Sequence, residues 1–121
     1  MQDFRRLNVW KRAHGFALDV RRATGQFPRT GFAALKSQLL RASESVATNI
    51  VEGCGAASQK DFARFLEIAM KSCSEAEYQL QLGRDTGALS DNRWRDLTSE
   101  VVQIRAMLYG LRKRVLERVE A

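Results

Sequence analysis

One proline, two cysteines and one histidine are all that this chain of 121 residues contains of those types. With Pro28 alone, long stretches have nothing to interrupt a helix. Cys54 and Cys73 form neither a CxxC motif nor a metal-ligand spacing, and His14 by itself cannot supply a multi-histidine metal centre. The carboxylate-bridged metal sites of helical bundles need Glu-x-x-His pairs on two helices, so Glu52, Glu67, Glu75 and Glu77 do not make one. There is no GxxxxGK[ST] or GxGxxG phosphate loop, and Gly53-Cys54-Gly55 is too short to serve as one. No apolar run approaches the roughly 18 residues of a membrane span. The opening Met1-Gln2-Asp3-Phe4-Arg5-Arg6 lacks the apolar core of a signal peptide. A cytoplasmic protein is therefore expected, not membrane-bound, without cofactor or metal and without the assembled parts of an active site. His14, next to Ala13 on the core side of the first helix, reads as a hydrogen-bonded structural histidine. Cys73 reads as core, and the surroundings of Cys54 are left open.

What is abundant is apolar residues at alternating spacings of three and four, the stripe of a helix facing a partner. Val9, Ala13, Phe16, Val20 and Ala23 predict a first helix from about Asn8 to Thr24, stopped at Gly25 before a turn through Phe27-Pro28-Arg29-Thr30-Gly31. Leu35, Leu39, Ala42, Val46, Asn49 and Gly53 predict a second, from about Phe32 to Glu52. Phe62, Leu66, Ala69, Cys73, Ala76, Leu80 and Gly83 predict a third, from about Gln59 to Thr86, ended by Gly87. Trp94, Leu97, Val101, Ile104, Leu108, Leu111 and Val115 predict a fourth, capped by Ser90 or Asp91 and continuing to about Arg118. Short links force neighbours to run antiparallel. The expected fold class is all-α, an up-down-up-down four-helix bundle forming one domain over residues 1–121.

The junction of the second and third helices carries polar residues within the apolar pattern. Asn49 lands where an apolar residue is expected, and a buried amide costs stability unless hydrogen-bonded. Gly53 and Gly55 are expected to let the chain leave the helix through positive φ. Ser58 and Asp61 resemble a capping box with a short acidic partner. Asn49, Glu52, Gly53 and Glu77 are read as structural or assembly residues, with Glu52 and Glu77 as polar links between helices or subunits.

Ser45-x-x-x-Asn49-Ile50-x-Glu52-Gly53 and Ser58-x-x-Asp61-Phe62 resemble the hallmark of a bacterial four-helix-bundle family first noticed as reading frames inside intervening sequences of large-subunit ribosomal RNA. Asp3-Phe4-Arg5-Arg6-Leu7-x-Val9-Trp10-x-x-Ala13-His14, Phe27-Pro28 and Gln38-Leu39-x-Arg41-Ala42 are similar to that family as well. The chain departs from it at Ala47, where Pro is common, and at Ala56-Ala57, where a basic residue is common. The first departure implies a straighter helix and the second a weaker role for that loop toward nucleic acid. The resemblance implies a ring, typically of five subunits. A related accessory protein of diversity-generating retroelements, a basic five-membered ring, implies nucleic acid and a reverse transcriptase as partners.

Leu7, Trp10, Leu18, Phe65, Ile68, Met70, Leu82, Val102 and Met107 fall off the main stripes. They fit either a wide core stripe or a second, self-associating face. The formal charge of +6 is uneven. Residues 23–99 balance nine basic against nine acidic side chains, so the excess lies at the two ends of the chain. In the expected topology those ends meet, placing Arg5, Arg6, Lys11 and Arg12 near Arg112, Lys113, Arg114 and Arg118. Such a patch suits phosphate contacts that read no sequence. The competing account is that basic residues at the end of a helix complement its dipole. The expectation is a non-enzymatic, oligomeric bundle that binds RNA or DNA non-specifically. The alternative is a protein-interaction scaffold or accessory subunit without nucleic-acid binding.

Overall fold

A computed structural model describes residues 2–120. A 3-10 turn, Phe4–Arg6, precedes four helices: α1 (Asn8–Thr24), α2 (Ala33–Cys54), α3 (Gln59–Asp85) and α4 (Asp91–Glu120). α1 packs on α2 and α4, and α3 packs on the same two, while the diagonal pairs keep apart. Bonds between helices give the directions. Arg12 reaches Glu100 whereas Arg93 reaches Gln26, so α1 and α4 run antiparallel. Arg112 reaches Glu67 and Arg105 reaches Glu77, so α3 and α4 do too. The result is the all-α, up-down-up-down bundle that the periodicity predicts.

The stripes form the core. Ala13, Val20, Leu39, Val46, Leu66, Leu80, Val101, Ile104, Leu108 and Val115 are fully excluded from solvent. Each large aliphatic side chain so buried contributes about 1.5–3 kcal/mol. Small residues of α3, Ala69, Cys73 and Ala76, line the same interior. In α2 the stripe rotates toward its end: Ile50 takes the core position and Asn49 lies half-buried beside it. A helix of 3.6 residues per turn drifts against a seven-residue pattern, which explains the difference of one position. Four of the nine off-stripe residues widen the stripe, since Leu7, Trp10, Met70 and Met107 pack against the core; Phe65, Ile68 and Leu82 are half-buried, and Leu18 and Val102 are exposed.

Helix ends follow local chemistry. Ser58 Oγ accepts from the Asp61 N–H at 3.1 Å and Ser90 Oγ accepts from the Arg93 N–H at 3.2 Å. Among the described residues Asp61 does not reach back to Ser58, as its shorter side chain foretells; it pairs with Arg64 at 3.8 Å. α3 ends where Gly87 adopts φ 87°, with Ala88 N–H on the Gly83 carbonyl at 2.8 Å, a cap that favours glycine.

The α2–α3 junction corrects one expectation. Neither Gly53 nor Gly55 has positive φ, and α2 continues unbroken through Ala47 to Cys54. Gly53 is needed for closeness instead: a Cβ there would lie 2.8 Å from Phe62 Cδ1 and 3.1 Å from Phe65 Cβ. The N-terminal segment is tied to the same place, through Gln2 N–H on the Cys54 carbonyl at 3.1 Å.

Candidate nucleic-acid interface

The 3-10 turn forms because Asp3 accepts the Arg5 N–H, which aims the chain into α1. Phe4 meets Trp10 edge-on at 4.8 Å and anchors the turn on α1. The turn and the start of α1 then face the outer half of α4 across a groove of about 490 Å³. Arg6, Leu7 and Val9 stand on one side, with Met107, Gly110, Leu111 and Arg114 on the other. The pairing of Arg12 with Glu100 sets this register, leaving the residues beyond Arg114 near or past the start of α1.

The eight basic residues of the expected patch are therefore not equivalent. Arg6 and Arg114 line one groove. Lys113 and Arg118 are exposed on the last turns of α4, and Lys11 is exposed on α1. None of these five takes part in an ion pair among the described residues. Arg5 lies 3.7 Å from Asp3 and over the Phe4 ring, a weak, solvent-exposed arrangement.

Arg12 and Arg112 are engaged elsewhere. Arg12 forks onto Glu100, with Nε donating to Oε2 at 3.0 Å and Nη2 to Oε1 at 2.6 Å. Nη2 also donates to Gln103 Oε1 at 2.7 Å. The hydrogen bond to Glu100 raises the guanidinium's pKa further. Arg112 donates to Glu67 at 3.3 Å on α3, and its Nε is buried without a partner among the described residues. Both side chains bolt α4 to its neighbours, so their charges are largely answered within the bundle.

The junction residues separate in the same way. Asn49 Nδ2 donates to the Ser45 carbonyl at 2.8 Å and to Ser45 Oγ at 2.9 Å, and Ser45 Oγ lies 2.8 Å from Ser72 Oγ on α3. Glu77 accepts from Arg105 Nη1 at 2.6 Å across the α3–α4 seam. Glu52 is exposed and has no side-chain partner among the described residues.

His14 differs from its expected role: it is exposed and stacks on Trp10 at 5.0 Å. Its position beside Ala13 in sequence turns it about 100° away from the core. Cys54 and Cys73 are both buried. Burial pushes the Cys54 thiol up and the Cys73 thiol up to about 12, so both rest as neutral thiols. Among the described residues no group of His, Cys, Asp and Glu could hold a metal, and no helix is long and apolar enough to cross a membrane.

Sequence reading missed the groove itself and two residues of α4. Gly110 opens the groove, and Tyr109, 60% exposed, sits beside Arg112 and Lys113. An aromatic one position after the core residue Leu108 was the available signal. A helix turns Tyr109 out of the stripe that Leu108 occupies.

A family profile described as the 23S rRNA-intervening sequence protein matches residues 5–110. The chain belongs to that family. The match includes Arg5, Arg6, Lys11 and Arg12 and stops before Arg112, Lys113, Arg114 and Arg118. The family fold is recognisable in a crystal structure from Bacteroides thetaiotaomicron, described as a protein of unknown function from the S23 ribosomal protein family. It is 26% identical with a TM-score of 0.82, over 87% of this chain and 98% of that one. A comparison with curated proteins finds no match.

Proposed function

We propose that this member of the 23S rRNA-intervening sequence family is a non-enzymatic homo-oligomer that holds RNA or DNA by its backbone, at the end of the bundle where α1 begins and α4 finishes. The observation that carries this reading is the groove flanked by Arg6 and Arg114, neither of them ion-paired among the described residues. Lys113 and Arg118 extend the positive charge along α4, while Arg12 and Arg112 serve the bundle. Free guanidinium and ammonium groups exchange condensed counterions for phosphates without reading bases. The family description, with its reference to 23S rRNA, makes RNA the first probe to use.

Self-association is supported by a separate surface. Val102 and Tyr109 form, with Met70 and Ala106, a shallow apolar depression on α3 and α4. Exposed apolar area of this kind favours burial against a like surface. The family resemblance favours a ring of five.

The test is binding to a structured RNA and a duplex DNA across a salt series, with mass measured by light scattering. Affinity that falls steeply with salt, and is lost when Lys113, Arg114 and Arg118 become Ala, supports the reading. No binding at low salt sinks it in favour of a protein-interaction scaffold. A mass of one chain removes the oligomer.

A further inference from the structure

We infer that the groove between the 3-10 turn, the start of α1 and α4 receives one nucleotide of a single strand, its phosphate held between Arg6 and Arg114 and its base laid on the floor of Leu7, Met107 and Leu111. This rests on the nucleic-acid reading above and adds which form of strand the site takes.

The chemistry of the walls carries it. Two arginines and the aliphatic and thioether side chains of Leu7, Met107 and Leu111 line the same cavity, and among the described residues no carboxylate does. A site for phosphate alone has no use for an apolar floor, and a site for an apolar segment has no use for two unpaired arginines. A nucleotide joins both properties in one unit, and guanidinium groups both fork onto phosphate and stack on bases. The volume of about 490 Å³ lies in the range of pockets for small ligands. A paired base cannot reach such a floor, because its faces are covered by its neighbours in the duplex. A single strand can turn one base inward without unpairing it.

Gly110 keeps the space open. A Cβ there would meet only Arg114 Nη1, at 3.6 Å, so Arg114 folds back over a position with no side chain of its own. The backbone on the opposite wall agrees. α1 has no acidic residue in its first turn and no side-chain cap, and the Asn8, Val9 and Trp10 N–H groups have no partner among the described residues. α3, by contrast, caps itself with Ser58 and carries Asp61 in its first turn.

Fluorescence anisotropy with a 12-nucleotide RNA, single-stranded or closed into a duplex of the same sequence, tests the inference at fixed salt. The wild type should prefer the single strand by about ten-fold, the order of one stacked base. Gly110→Leu fills the groove without changing charge and should abolish that preference by lowering single-strand affinity about ten-fold. Arg6→Gln, at an exposed position, should lower single-strand affinity more than duplex affinity. Photocrosslinking of a 4-thiouridine strand to the wild type needs no variant and should map to residues 107–111. Equal affinity for the two forms in the wild type, an unaltered preference in a folded Gly110→Leu, or crosslinks only elsewhere would overturn the groove and leave the phosphate-binding function standing. Binding of neither form overturns both. Displacement of the strand by free AMP at equal affinity makes this a free-nucleotide site and overturns the strand assignment.

Discussion

Arg12 on α1 grips Glu100 on α4 with two nitrogens, at 3.0 and 2.6 Å, and this fork divides the basic residues into those that hold the bundle together and those left over. Both side chains are about one-third exposed, at 37% and 31%, so solvent screens part of the attraction. Arg12→Ala should lower stability by about 1 kcal/mol, read by urea denaturation. The same substitution should change nucleic-acid affinity less than Arg114→Ala does.

For nucleic-acid binding, each of Arg6, Lys113, Arg114 and Arg118 changed to Ala should flatten the plot of log affinity against log salt. The expected change is about one unit for each phosphate that the variant no longer neutralises. Arg12→Ala and Arg112→Ala should leave that slope close to the wild-type value. Equal slopes for all six variants would mean that no particular cation touches phosphate.

Two glycines on helices should respond in opposite directions to alanine. At Gly53 the new Cβ would meet the buried Phe62 ring at 2.8 Å, and overpacking of this kind costs about 1–3 kcal/mol. At Gly110 the new Cβ has room, and replacing an interior helical glycine gains about 0.5–1 kcal/mol. Thermal melts of Gly53→Ala and Gly110→Ala against the wild type check both signs.

Cys73 makes stability fall in alkali. Its thiol stands at about 12 in the folded protein against an ordinary 9.0, because burial disfavours the thiolate. A pKa raised by folding contributes stability that is complete below pH 9 and is lost as pH rises toward 12. Over that window the loss is about 1.4 kcal/mol per pH unit. Cys73→Ala should be the less stable protein at pH 8 and should close the gap on the wild type by pH 11. At pH 8 native Cys73 should resist iodoacetamide until the chain unfolds.

Asn49 satisfies its amide within its own helix, on Ser45, while Ser45 touches Ser72 on α3. Asn49→Leu should keep the helix content seen by circular dichroism and alter the subunit number seen by light scattering. An unchanged mass in that variant would count against an assembly role for Asn49.

Helix number, order and nearly every helix boundary were legible in the sequence, because apolar spacing of three and four and the caps at Ser58, Ser90 and Gly87 are local properties of the chain. The family was legible for the same reason, in Ser45 to Gly53 and Ser58 to Phe62. The reason Gly53 must be glycine was not legible, since the clash is with a Phe62 ring brought close only by the α2–α3 crossing. Nor was the exposure of His14, which depends on a rotation of about 100° from its neighbour Ala13. Composition determined that the excess of positive charge lies at the two ends of the chain. Tertiary structure decided which charges stay unpaired, because the registers of α1 and α3 on α4 place Glu100 under Arg12, Glu67 under Arg112 and, among the described residues, no carboxylate in the groove of Arg6 and Arg114. Charge is carried by residues one at a time, but pairing depends on distances between helices that no local pattern specifies.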